Sequence, residues 1–244
     1  MKTKILGHRG FSAVAPENTL AAFGAAIQAG AEGFELDVHM TKDGELVIIH
    51  DETVDRTTDG TGWIKDLTFA EIKDLDAGTW FSVEFKGEQI PTLREVLELV
   101  RETNHTVNIE LKNNLIAYPG LEEKVIREVE SLGMEKRVIL SSFNHVSIYN
   151  LHRLRPSMKL GILYEEPISM PWAYAKSLGA SAIHPNHIIA TEEVVIRAHE
   201  YGVAVRPYTV DVEIEARRLI SLGVDAIITN VPDQLKKLRE ALLS

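Results

Sequence analysis

Short apolar runs of strand length alternate along this chain with stretches whose apolar residues return every three or four positions, and the alternation predicts the elements in order. Residues Lys4 to His8 read as a strand closed by Arg9-Gly10, and Leu20, Phe23 and Ile27 keep helical spacing up to a stop at Gly30. A second strand, Gly33 to Val38, is followed by turn chemistry at Thr41 to Gly44 and by an apolar return from Glu45 to His50, the pattern of a hairpin. From Thr106 onward strand and helix alternate regularly: Thr106–Lys112 with 121–132, Val138–Ser142 with 145–154, Leu160–Tyr164 with 173–178, Ala182–His184 with 191–201, Val203–Tyr208 with 213–222, and Asp225–Thr229 with 232–243.

Counting 38–50 as an extension of the second strand leaves eight strand-helix pairs in 244 residues, the arithmetic of a TIM-type (β/α)8 barrel. One barrel domain over 1–244 is expected, with an insertion at about 51–90 rich in Thr, Asp and Gly and a short helical piece near Phe69 to Leu75. Of the aromatics there, Trp63, Trp80, Phe81 and Phe85, at least two are expected to form the insertion's own small core. A doubly wound open sheet is the alternative, but its glycine-rich dinucleotide fingerprint is missing.

Barrel chemistry sits at the strand C-termini, which sharpens one oddity in the second strand. Glu35 and Asp37 alternate with apolar residues, so both carboxylates share one face, an arrangement that repels itself unless a cation offsets it. Glu110 and Lys112 repeat that spacing on the third barrel strand. A hairpin turning at 41–44 pairs Glu35 roughly with His50 and returns that imidazole to the level of the acids, at the rim where His8 and Arg9 end the first strand. Glu35, Asp37 and Glu110 offer only oxygen ligands, which suits Mg2+ or Ca2+, with Mn2+ a third candidate, better than zinc. His8 and His50 suit acid-base catalysis, and Arg9 and Lys112 suit binding of a phosphoryl group.

Charge and composition narrow the partners. A formal charge of -10 and a pI near 5.4 argue against nucleic-acid or polybasic membrane binding, and the absence of cysteine removes disulfides, thiolate ligands and a Cys nucleophile. Neither a signal peptide nor a run of about 18 apolar residues is evident, so no membrane insertion and a cytoplasmic setting are expected. A homo-oligomer is compatible with the sequence.

His8-Arg9-Gly10, Pro16-Glu17-Asn18-Thr19, Glu35-Leu36-Asp37-Val38, Thr41-Lys42-Asp43-Gly44, His50-Asp51, Pro91-Thr92-Leu93, Glu110-Leu111-Lys112, Ser141-Ser142-Phe143 and Thr229-Asn230-Val231-Pro232-Asp233, in this order, resemble the motifs of the glycerophosphodiester phosphodiesterase family. The resemblance spans nearly the whole chain. It implies a TIM-type barrel that splits a small-molecule glycerophosphodiester into sn-glycerol 3-phosphate and an alcohol, with a divalent cation on Glu35, Asp37 and Glu110, an acid-base pair at His8 and His50, and phosphate contacts at Arg9 and Lys112. Phe143, Tyr164 and Tyr208 are expected to shape the pocket, and His184 to reach the glycerol moiety. Two positions depart from the pattern: Asp211 stands where the family has Asn, and Asn230 where it has an acid. Rival readings are a lysophospholipase D and a catalytically silent phosphate-binding barrel.

Overall fold

The structure, a computed structural model, describes residues 2–243. The chain opens with β1 (Lys4–Gly7), α1 (Leu20–Gln28), β2 (Gly33–Met40) and β3 (Leu46–Ile48); α2 (Phe69–Lys73) lies in the insertion and α3 (Leu93–Leu99) follows it. The regular pairs are β4 (Thr106–Leu111) with α4 (Leu121–Ser131), β5 (Val138–Ser142) with α5 (His145–Leu154), and β6 (Lys159–Tyr164) with α6 (Pro171–Ser177). They continue as β7 (Ala182–Pro185) with α7 (Glu192–Glu200), β8 (Ala204–Val205) with α8 (Glu213–Leu222), and β9 (Ala226–Thr229) with α9 (Pro232–Leu243).

The parallel strands run in the order β8-β7-β6-β5-β4-β2-β1-β9. Backbone bonds Asp225 N to Val205 O (2.9 Å), Ile228 N to Pro207 O (3.1 Å) and Val210 N to Ile228 O (3.0 Å) join the two ends, so the sheet curls into the expected TIM-type barrel. Strand alternation makes two layers. Phe34, Leu36 and Val38 of β2, Val107, Ile109 and Leu111 of β4, and Leu160 and Ile162 of β6 face the helices in one large core. Full burial of each such side chain contributes roughly 1.5–3 kcal/mol. The opposite face looks into the barrel, where Leu6, Ala226 and Ile228 form a small apolar plug against Tyr208.

Local chemistry sets the helix starts. Thr92 accepts from Glu95 N while the Glu95 carboxylate accepts from Thr92 N, a reciprocal cap that fixes the short α3 at the insertion's exit. Losing such a cap costs about 1 kcal/mol.

Two expectations are corrected here. The hairpin pairs Val38 with Ile48, so the register is one residue off the expected Glu35–His50 pairing. A continued ladder would turn His50 to the outer face; instead β3 stops at Ile48, after which Ile49 N bonds to Asp37 O and the chain leaves the sheet. The insertion's core is aliphatic, with Val54, Ile64, Ile72 and Ile90 packed on Val47 and Ile49. Trp63 and Trp80 are 48% and 40% exposed, and Trp80, Phe81 and Phe85 form an edge-to-face chain at the surface. Branched aliphatics close a space this small; of the insertion's rings Phe69 packs on its edge, while Trp63, Trp80, Phe81 and Phe85 lie outside it.

Candidate active site

Glu35 and Asp37 point into the barrel because their neighbours Phe34, Leu36 and Val38 belong to the outer core. Parallel pairing sets Asp37 opposite Glu110, and one carboxylate oxygen from each of Glu35, Asp37 and Glu110 lies within 4.8 Å of the other two in a buried cluster. Lys112 leaves β4 just beyond Glu110. Its ammonium lies 3.0 Å from Glu110 Oε1, 3.9 Å from Asp37 Oδ1 and 3.2 Å from His50 Nε2.

The turn after β1 completes this rim. Arg9 and Gly10 both have positive φ, at 53° and 86°, and this sharp reversal presents the Arg9 N–H to Glu35 Oε2 at 3.0 Å. Gly7 is required beneath it, since a Cβ there would meet Gly10 O at 2.5 Å. The Arg9 guanidinium reaches Glu17 Oε1 (2.7 Å) and Asp37 Oδ2 (3.4 Å). Asn18, itself at φ 59°, donates to Asp37 Oδ2 at 2.9 Å, and Thr19 caps α1. The polar residues of the Pro-Glu-Asn-Thr run therefore play separate roles, Glu17 holding Arg9, Asn18 holding Asp37 and Thr19 starting a helix.

Charge at the cluster is unevenly compensated. Burial alone would raise Asp37, but the charges of Arg9 and Lys112 outweigh it and hold the carboxyl down to about 2. Glu110 is pushed up to about 7 by burial and then by the Asp37 charge, and Glu35 rises well above the carboxylate range by burial and repulsion from Asp37 and Glu110. Two of three carboxylates thus favour a proton, because burial and repulsion within the cluster outweigh the Lys112 and Arg9 charges that face them. A hard, all-oxygen donor set with negative charge still uncompensated fits a divalent ion.

The two imidazoles are fixed by their Nδ1 atoms. His50 Nδ1 lies 2.7 Å from Asp51 Oδ1, while Nε2 accepts from Lys112, which assigns the proton to Nδ1. Arg56, from the insertion, clamps Asp51 (Nε to Oδ2, 2.7 Å) and Glu17 (Nη2 to Oε1, 2.7 Å). Buried His39 donates to the His50 carbonyl at 3.1 Å and meets the Tyr118 hydroxyl at 2.9 Å, which ties the His50 backbone to β2. His8 Nδ1 donates to Asn230 Oδ1 at 2.8 Å. Burial, then the adjacent Arg9 charge, lowers His8 to about 4, so it is neutral at pH 7, and among the described residues its Nε2 has no hydrogen-bond partner.

The two departures from the family pattern meet each other. Asp211 accepts from Asn230 N (2.8 Å) and from Asn230 Nδ2 (2.6 Å), so the amide is oriented with Oδ1 toward His8. Sequence reasoning places Glu17, Asn18, Asp51 and Asn230 inside motifs without giving them these partners, and it misses Arg56 and His39. Asp51 lies only one residue from His50 and five from Arg56, but these residues sit in irregular segments without a repeating period, and the Arg56–Glu17, His39–Tyr118 and His8–Asn230 contacts join distant parts of the chain.

The remaining expected residues divide. Phe143 and Tyr208 meet edge to face at 6.0 Å, with the Tyr208 hydroxyl donating to Tyr164 O at 3.2 Å. Tyr164 itself is corrected: it sits in the outer core with Leu160 and Ile162, 5% exposed, because its parity on β6 turns it to the helices. His184 is also corrected. It is fully buried inside the barrel, where Gly161 leaves room for its ring, and its Nε2 accepts from Arg206 at 3.3 Å, a structural position away from the rim cluster.

Fold and site together define a parallel (β/α)8 barrel with a buried carboxylate triad and two anchored imidazoles at the C-terminal ends of its strands. The profile of the Glycerophosphoryl diester phosphodiesterase family matches residues 8–234, and the chain belongs to that family. It is 48% identical over 235 residues to a glycerophosphodiester phosphodiesterase of Caldanaerobacter subterraneus subsp. tengcongensis, covering 96% of this chain and 97% of the relative. A crystal structure of glycerophosphodiester phosphodiesterase from Agrobacterium tumefaciens superimposes with a TM-score of 0.85 at 34% identity, covering 96% and 99% of the two chains. An Oleispira antarctica phosphodiesterase in complex with the product sn-glycerol-3-phosphate superimposes with a TM-score of 0.88 at 31% identity, covering 98% and 97%.

Proposed function

We propose that the protein hydrolyses glycerophosphodiesters to sn-glycerol 3-phosphate and an alcohol by histidine acid-base catalysis at this rim. The observation that carries the reading is the pair of imidazoles anchored through Nδ1 at the rim that holds the acid cluster, His50 with its Nε2 on Lys112. Membership of the family and the product named for the Oleispira structure support the substrate class.

One imidazole, neutral, takes the proton at Nε2 from the nucleophile, which is water or the neighbouring glycerol hydroxyl; the other enters the step as the imidazolium, with a proton on both nitrogens, and gives its Nε2 proton to the departing alkoxide. Asp51 and Asn230 accept from Nδ1 of the two rings, which makes Nε2 the atom that takes or gives the proton in each. Arg9 and Lys112 supply N–H donors to the phosphoryl oxygens, while their bonds to Glu17, Asp37 and Glu110 hold them in place before substrate arrives. Phe143 and Tyr208 wall the mouth. A divalent cation, Mg2+, Ca2+ or Mn2+, held by Glu35, Asp37 and Glu110, would supply Lewis-acid stabilisation of phosphoryl charge.

The test is to chelate the protein and assay a panel of glycerophosphodiesters with each cation restored. Turnover that is lost on chelation and returns with one of the three ions is expected. Undiminished turnover in the chelated protein would overturn the metal assignment, and a blank across the panel with every ion would overturn the activity.

A further inference from the structure

The opposite mouth of the barrel holds a second polar cluster that the proposed chemistry does not use. A cavity of about 340 Å³ is lined by Lys2, Lys4, Leu6, Thr106, Ile139, Lys159, Arg206, Asp225 and Ala226. Lys4, Thr106, Lys159 and Ala226 are the first residues of β1, β4, β6 and β9, which places the cavity at the N-terminal end of the strands. Lys4 shares strand parity with Leu6, and Lys159 with Gly161 beneath His184, so both side chains point toward the barrel axis.

The charges here do not balance. Four cations face one carboxylate, Asp225, whose Oδ2 already accepts from Val205 N (2.8 Å) and His199 Nε2 (3.0 Å). Among the described residues Lys4 Nζ has only the Thr106 hydroxyl at 3.2 Å, and Lys159 Nζ donates to the Lys136 carbonyl. The Arg206 guanidinium has one hydrogen bond among the described residues, Nη1 to the neutral His184 Nε2, leaving its other donors without a protein acceptor. Arg239, near the same end, shows the usual solution for a buried cation: it bonds Thr3 O at 2.7 Å and Glu32 Oε2 at 3.0 Å. Inward positions of such barrels are normally filled by branched aliphatics; here Lys4 and Lys159 are exposed at the mouth and Arg206 is half-buried, so their converging charge suits an anion.

We infer that the N-terminal mouth of the barrel is a binding site for a phosphate group, held by Lys4, Lys159 and Arg206. Ionised phosphate supplies several acceptor oxygens and about two negative charges at pH 7, matching an excess of lysine and arginine donors. The volume is at the small end of ligand cavities, and Leu6, Ile139 and Ala226 provide an apolar wall for a short organic tail.

The experiment is isothermal titration of inorganic phosphate into the wild-type protein, Lys4→Gln/Lys159→Gln and Lys112→Gln, with turnover of a glycerophosphodiester measured in parallel. The expected result is a phosphate site that weakens at least about tenfold in the Lys4/Lys159 variant, with turnover unchanged, and persists in Lys112→Gln. Phosphate binding that is lost in Lys112→Gln and unaffected in Lys4→Gln/Lys159→Gln belongs to the catalytic rim and overturns the inference, as does the absence of any binding. Should the double variant not fold, Lys159→Gln alone, whose backbone begins an intact strand, gives the same comparison. A butyl phosphate titration identifies the source: tighter binding than inorganic phosphate marks an ester with an organic tail, and equal binding marks the free anion.

Discussion

The two mouths of the barrel are built from the same inward-pointing strand positions and carry opposite imbalances. At the C-terminal rim three carboxylates face Arg9 and Lys112, and the leftover charge is negative; at the N-terminal mouth four cations face Asp225, and it is positive. The supporting structure differs as much. Rim side chains are tied to one another by a chain of bonds running from the insertion through Arg56, Asp51 and Glu17 to Arg9 and Asp37. The cations at the other end have few partners. Preorganisation of this kind suits a site where reacting atoms must be positioned, while loosely held cations suit a site that only binds.

The largest expected effect tests the rim. His8→Ala and His50→Ala should each lower kcat by at least about two orders of magnitude if each ring transfers a proton. Near-normal turnover in both variants would remove them from the chemistry. Asp51→Asn should fall between these and wild type, because the ring loses a charged partner but keeps its place. Its loss should appear in kcat with little change in KM, whereas a merely structural disturbance would move both and lower the melting temperature. Lys4→Gln at the other mouth serves as the contrast and should leave kcat intact.

The fold was legible because its period-two strands and helical repeats are continuous from Thr106 onward, and because Glu35, Asp37, Glu110 and Lys112 violate that apolar pattern where barrel chemistry belongs. His50 was placed correctly at the rim by a register that was wrong by one residue; the end of β3 at Ile48 offset the slip. Tyr164 and His184 went astray for a different reason. Position at a strand end says how high a residue sits, but parity decides whether it faces the axis or the helices, and layer depth decides whether it reaches the rim. Arg56 and His39 act through partners brought close only by the fold. The N-terminal mouth was invisible in the sequence, since lysines that begin separate strands look like ordinary solvated charges until the barrel turns them toward one axis.

A smaller effect should separate the ends by pH. In the cation-free protein Glu110 titrates at about 7, against an ordinary 4.5, owing to burial and the Asp37 charge. The folded state therefore holds a proton that the unfolded chain releases, so stability falls as pH rises from about 4.5 to about 7 and then levels. Asp37 acts in the opposite sense and lower down: its stabilisation is lost as pH falls from 3.8 toward about 2. Thermal melts of the chelated protein should thus lose several degrees across the upper window. Glu110→Gln should flatten that slope, and saturating Mg2+ or Ca2+ should do the same if the cluster binds the ion. A slope that persists in Glu110→Gln would place its origin elsewhere.

The smallest effect belongs to the N-terminal mouth, and its sign is informative. Burial, then the neighbouring charges of Lys4 and Arg206, lowers the Lys159 pKa, so at pH 7 the ammonium is held in surroundings that disfavour its charge. Replacing it with Gln should raise stability in phosphate-free, low-salt buffer, by less than about 1 kcal/mol because the side chain is exposed and water screens much of the repulsion. Added salt should shrink the gain, as it would for any interaction between exposed like charges. Added phosphate should reverse its sign, because wild-type protein binds the anion more tightly and is stabilised by mass action. At the C-terminal rim the same kind of neutralisation, Lys112→Gln, should destabilise under all these conditions, since it strips Glu110 and Asp37 of a compensating charge. If Lys159→Gln also destabilises in phosphate-free buffer, the two mouths do not differ in the way their charges suggest, and the cations at the N-terminal end are held by the protein itself.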